Sequence, residues 1–159
     1  MTYEAINKVL CAVDFSEFTP ETLSQAFVFC QKYGAGLLVL NVVNEKVYEE
    51  LERISGRLPT LSGVAASAIS AMEEQRAEMM TELLGRLKDE GLPVKEVRHA
   101  SRIAVGVPYE RILELAQEHG ADLIIMGAKG RASLSKALRF GSTAEKVFRR
   151  ATCKVMFIR

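Results

Sequence analysis

Two uninterrupted apolar runs constrain this chain more than any other feature: KVLCAV at residues 8–13 and LLVLNVV at residues 37–43. A strand with one solvated face alternates polar and apolar side chains. A continuous apolar strand therefore belongs to a sheet covered on both faces, which points to parallel strands joined by helical crossovers. The segment between the two runs meets that requirement. Thr19 followed by Pro20 reads as a helix entry, a capping hydroxyl and then a proline at the first helical position. Leu23, Ala26, Phe27, Cys30 and Tyr33 recur at helical spacing, and Gly34 or Gly36 ends the helix.

The alternation continues. Residues from about 44 to 63 are mixed and read as a loop with some helical turn. A long helix is predicted from Val64 to Glu90, with Met72, Met79, Met80, Leu83, Leu84 and Leu87 as its apolar stripe and Gly91 as its stop. PVKEVRHAS at 93–101 reads as a third strand carrying Val94, Val97 and His99. Pro108 opens a helix with Ile112, Leu113, Leu115 and Ala116 facing inward and Gly120 at its end. DLIIM at 122–126 and KVMFI at 154–158 are the fourth and fifth strands. Five strands alternating with four helices predict a single α/β domain over residues 1–159, an open parallel sheet of Rossmann-like type with helices on both faces. Ligands of such sheets bind at the carboxyl ends of the strands, where the strand order reverses. Asp14, Val42 and Gly127 all fall at strand carboxyl ends.

The totals narrow the class. Twenty-one basic residues against twenty acidic ones give a net charge of +1, so nothing global draws the chain to nucleic acid or anionic membrane. Cys11, Cys30 and Cys153 are widely separated, each in or beside an apolar segment, which suits free thiols in a reducing cytoplasm. The amino-terminal MTYEAINKVL lacks a basic lead and an apolar core, and no run approaches the roughly 18 residues of a membrane span. A soluble cytoplasmic protein is expected. His99 and His119 have no carboxylate or cysteine at ligand spacing, so no metal site is expected.

Against that neutral background, GAKGRASLSKALRFGSTAEKV at 127–147 is both glycine-punctuated and basic, with Glu145 its one acid. Gly127 and Gly130 let backbone N–H groups approach an anion closely, and Gly141 precedes Ser142 at the mouth of the last helix, whose free N–H groups favour negative charge. Two such devices separated by ten residues suit a chain of phosphates, with Lys129, Arg131, Lys136 and Arg139 adding charge. STAE at 142–145 also fits a capping box, in which the Ser142 hydroxyl accepts the N–H of Glu145 with no ligand involved. Individually, the basic side chains are better read as solvated. Neither a P-loop nor the dinucleotide-binding G-x-G-x-x-G is present.

Taken in order, VLCAVDFSE, LLVLNVV, GVPYERILELAQEHGADLIIMGAKG, GSTAEKV and CKVMFIR make the chain similar to the universal stress proteins over nearly its whole length. The family hallmark is G-x-x-G, nine residues, then G-[ST], an ATP-binding signature. The resemblance implies strand order 3-2-1-4-5, the adenine nucleotide alpha hydrolase-like arrangement, and a homodimer that often pairs through the last strand, here Lys154–Ile158. It implies ATP, AMP or ADP as ligand, with or without Mg. By position, Ala12, Val13, Asp14, Val42 and Met126 line the adenine pocket. Gly127, Lys129, Gly130 and Arg131 approach ribose and phosphates, and Gly141, Ser142 and Thr143 hold phosphate oxygens. This sequence departs from the pattern in having ten residues, RASLSKALRF, between Gly130 and Gly141. One extra helical residue rotates the chain beyond it by about 100° unless a loop or bulge absorbs it. Lys154 stands where the family commonly has proline.

Asp14 also fits a plain turn-capping role, and Val42 and Met126 would be core residues in any sheet. No nucleophile is paired with a base, and Asp14 is the only carboxylate placed to hold a metal near phosphates. The sequence thus reads as a nucleotide-responsive binding protein, read in turn by an unidentified protein partner, rather than as an enzyme. A nucleotide-free stress-response interaction module of the same fold is the alternative.

Overall fold

In the computed structural model, which describes residues 5–57, 63–129 and 140–159, ten elements alternate along the chain. They are β1 (Lys8–Val13), α1 (Thr19–Tyr33), β2 (Gly36–Asn44), α2 (Lys46–Ser55), α3 (Val64–Asp89), β3 (His99–Gly106), α4 (Pro108–His119), β4 (Leu123–Gly127), α5 (Ser142–Arg150) and β5 (Lys154–Ile158). The strands form one sheet of order β3-β2-β1-β4-β5, parallel throughout.

The two apolar runs behave as their composition requires. From Val9 to Val13 every β1 side chain is buried, because both faces of the sheet are covered. One face carries Val9, Cys11, Val39 and Ile125 beneath Leu23, Phe27 and Cys30 of α1 and Met80, Leu84 and Leu87 of α3. The other carries Leu10, Leu40 and Ile124 beneath Ile112 and Leu115 of α4 and Val147 of α5. Met79, by contrast, lies on the exposed side of α3.

Three local readings are corrected. The third strand begins at His99, not at Pro93. Val94 and Val97 are buried, but in the turn that follows α3. β3 is an edge strand whose Ala100, Ser101 and Arg102 are exposed, so it needs no continuous apolar run to announce it. Residues 46–55, expected as loop with some turn, form the complete helix α2. Thr19 is the first residue of α1 rather than its cap. The N-cap is Phe18, and the Thr19 hydroxyl turns back to the Asp14 carboxylate at 3.5 Å. At the other end, Gly34 closes α1 in the left-handed region at φ 68°, and its N–H bonds the carbonyl of Cys30.

Candidate functional site

The strand order reverses between β1 and β4, and a cleft of about 460 Å³ opens at the carboxyl ends of β1, β2 and β4. That volume lies within the range of small-molecule sites. Strand register assembles its floor. Leu40, Ala12 and Met126 sit side by side on three adjacent strands, and Val42 follows two residues beyond Leu40. The floor is therefore apolar, and the polar groups come from the loops.

The first loop leaves β1 through Asp14, whose Oδ1 accepts the Ser16 N–H at 3.0 Å as well as the Thr19 hydroxyl. Phe15 between them has φ 57°, a left-handed conformation that costs a side-chain-bearing residue on the order of 1 kcal/mol. That turn keeps Asp14 at the lip of the cleft, so capping and lining the cleft are both roles of this residue.

The second loop follows β4. Gly127 is closely surrounded: a Cβ there would lie 3.0 Å from the carbonyl oxygen of Lys129 and 3.7 Å from Oγ1 of Thr22. Lys129 lines the cleft. The chain returns at Gly141, the N-cap of α5, followed by Ser142 and Thr143, which line the cleft too. The expected capping box does not form. The Glu145 N–H bonds the backbone carbonyl of Gly141 at 2.9 Å, no side chain caps the helix, and the Glu145 carboxylate pairs with Arg149 at 2.9 Å. Helix α5 begins one residue earlier than an S-x-x-E cap requires, which makes Ser142 helical. The N–H groups of its first turn have no intrahelical partner and open toward the cleft.

Ala12, Val13, Asp14, Val42, Met126, Gly127, Lys129, Gly141, Ser142 and Thr143 are thus brought to one cleft. Gly130, Arg131, Lys136 and Arg139 lie outside the described residues. Of the basic side chains on α5, Lys146 and Arg150 lie over the ring of Tyr109, 4.7 and 5.0 Å from its centroid, and neither lines the cleft. Their charge serves the helix surface, in keeping with the solvated reading.

The sequence did not disclose the opposite wall. Asn44, Val47 of α2, and Met72 and Arg76 of α3 line it, and the Arg76 guanidinium lies 5.4 Å from the centroid of the Phe15 ring. Met72 and Arg76 are four residues apart, one turn of the same helix face, which was the available signal. Phe140 lines the cleft and packs edge to face on Phe157 of β5, centroids 5.1 Å apart. Asn41, hidden in an apolar run, is 2% exposed and lines the cleft as well.

Among the described residues no group of three or more His, Cys, Asp or Glu can hold a metal ion, and Asp14 is the cleft's single carboxylate. The chain's own residues there do not build a resident Mg²⁺ site. His99 donates from Nδ1 to the Val97 carbonyl and packs on Phe27, and His119 ends α4. No described helix is long and apolar enough to cross a membrane.

A sequence profile of the universal stress protein family matches residues 5–159. A universal stress protein of Methanocaldococcus jannaschii is 26% identical over 158 residues, 96% of this chain and 94% of the relative. One of Bacillus subtilis is 30% identical over 155 residues, 96% and 99% of the two chains. Among solved structures, UspA of Lactobacillus plantarum superposes with a TM-score of 0.78 at 25% identity, covering 99% of this chain and all of that one. Two further structures share the fold at a TM-score of 0.61. One is a universal stress protein in complex with cAMP, at 21% identity with 98% of each chain covered. The other, from Archaeoglobus fulgidus, is in complex with dAMP, at 19% identity with full coverage of both. The sheet is the adenine nucleotide alpha hydrolase-like fold of these proteins.

Proposed function

The chain belongs to the universal stress protein family, and from that premise we propose that its cleft binds an adenine nucleotide and that the protein acts by binding rather than by catalysis. One observation carries the reading: the uncapped N-terminus of α5 opens into the same cleft as the tight Gly127–Lys129 turn. The two together offer backbone N–H groups from two directions, which suits phosphate better than an uncharged ligand. The apolar floor at Ala12, Val13, Val42 and Met126, with Asp14 at its lip, takes the base. Lys129, Gly141, Ser142 and Thr143 take the phosphates, continued by Gly130 and Arg131. Two neighbours of this fold are complexes with cAMP and dAMP, and both support an adenine ligand. ATP uses both anion devices where AMP uses one, and its Mg²⁺ arrives with the triphosphate.

A binding role accords with Asp14, whose Oδ1 is committed to the turn. Binding orders the segment between the two devices, and a protein partner or a second subunit reads that state. The second subunit pairs through β5, an edge strand beside which Phe148 is 67% exposed. A cytoplasmic setting suits the free cysteines Cys11, Cys30 and Cys153.

The test is to denature freshly purified protein, separate the released small molecules by anion exchange, and titrate nucleotide-free protein with MgATP. Stoichiometric adenine nucleotide, or a Tm rise of roughly 5–10 °C at a hundredfold excess over Kd, is expected. An empty chromatogram with no thermal shift in millimolar MgATP overturns the reading in favour of the nucleotide-free interaction module, which the exposed Phe148 surface favours.

A further inference from the structure

The side chain of Asn41 presents an unused hydrogen-bond acceptor beside the cleft. Asn41 is paired with Val13 at the last rung of the β1–β2 ladder, where β1 ends and the cleft opens. Its Nδ2 donates to the Val13 carbonyl at 2.8 Å. That carbonyl only accepts, so the amide cannot be turned the other way, and Oδ1 faces away from it. Oδ1 is buried and has no hydrogen-bond partner. A buried carbonyl without a donor is costly, and a native cleft that keeps one has a reason to.

The position of Asn41 says which donor suits it. The anion devices at Gly127–Lys129 and Gly141–Thr143 belong to the β4 side of the cleft, whereas Asn41 stands on β2, beyond β1 from β4. It shares a sheet face with Leu37 and Val39, the face covered by α1 and α3, and Met72 and Arg76 of α3 wall the cleft there. A nucleotide with its phosphates at the β4 side directs its base to the β2 side.

We infer that Asn41 is a specificity-determining residue, its Oδ1 accepting a hydrogen bond from the exocyclic amine of the bound base; the inference rests on the nucleotide reading of the cleft. A base with a 6-amino group satisfies the buried oxygen. A purine without one leaves it unpaired and loses affinity.

The experiment compares, by isothermal titration calorimetry, ATP with purine riboside 5′-triphosphate, which differs only in lacking the 6-amino group. Nucleotide-free native protein is expected to bind ATP about tenfold or more tightly than the analogue. In Asn41→Leu, and in the smaller Asn41→Val, that ratio is expected to collapse toward one, a change that a purely structural Asn41 would not produce. Equal affinities in the native protein overturn the assignment while leaving the cleft a nucleotide site, as does a ratio that survives in either variant. Binding of neither triphosphate overturns the nucleotide reading itself.

Discussion

The backbone N–H of Gly141 donates to the carbonyl of Ala128 at 2.8 Å, which closes the base of the glycine-punctuated segment. The N–H of Ala128 in turn donates to Ile158 at 2.7 Å, so the closure is anchored on β5. The two anion devices are held together at their bases, and the register of α5 is set at Gly141. An additional residue between Gly130 and Gly141 is therefore not passed on as a rotation of α5 by about 100°, as it would be along a continuous helix.

Gly127 is where the close approach is required. With the oxygen of Lys129 only 3.0 Å from the site of a Cβ, Gly127→Ala must displace the turn backbone. Nucleotide affinity is expected to fall about tenfold or more by calorimetry, with the far-UV circular dichroism unchanged. Gly141 has φ −75° and ψ 157°, which any residue adopts, so Gly141→Ala is expected to keep the native Tm. A Gly127→Ala protein with native affinity would remove this turn from the site.

Asp14 separates charge from geometry. Asp14→Ala deletes the acceptor for Ser16 N–H and the Thr19 hydroxyl and is expected to cost about 1 kcal/mol, a Tm loss of roughly 2–4 °C. Asp14→Asn retains an acceptor oxygen and is expected to melt close to native. Equal losses in the two variants would show that the charge, not the turn, supplies the stabilisation.

Burial decides how much of this was legible in the sequence. The central strands could be read because both of their faces are covered, and continuous apolar sequence is the only composition that fits. β3 could not be bounded, because an edge strand with Ala100, Ser101 and Arg102 exposed carries no such mark. The β1, β4 and α5 parts of the cleft were readable from strand ends and glycines. The α3 wall was not: Met72 and Arg76 fix a helix face, but nothing local says which end of the sheet that face crosses. Asn41 was missed because one amide within an apolar run does not disturb its pattern, although its hydrogen bonding sets it apart from its neighbours.

Acid sensitivity is expected to begin at His119. Burial, and then the nearby Lys8 ammonium, hold its pKa below the ordinary 6.5, and Nε2 is buried without a partner. The unfolded chain binds the proton more readily than the folded one, so the contribution is present above about pH 6.5 and lost as the pH falls through the folded pKa. Asp122 acts in a separate window. Its carboxylate accepts the N–H groups of Asn7 and Lys8 at 2.8 and 3.0 Å, which lowers its pKa, and its contribution is lost only well below neutrality. Urea midpoints from pH 8 to 5 are expected to decline, with a shallower slope in His119→Gln. An unchanged slope in that variant would assign the decline elsewhere.

The last expectation concerns the edge of the sheet. Phe140, Phe148 and Phe157 form a cluster, with Phe148 6.4 and 6.2 Å from the other two centroids, and Met156 is 36% exposed on β5. An apolar edge strand with unpaired backbone groups is a template for a second copy. Light scattering is expected to give twice the 17.6 kDa chain mass, and Phe148→Asp or Met156→Lys to return the monomer. Because Phe140 lines the cleft and packs on Phe157, the same cluster joins that edge to the ligand site. Phe140→Ala is therefore expected to weaken MgATP binding and self-association together. A variant that loses only one of them would show that the cluster does not connect the two.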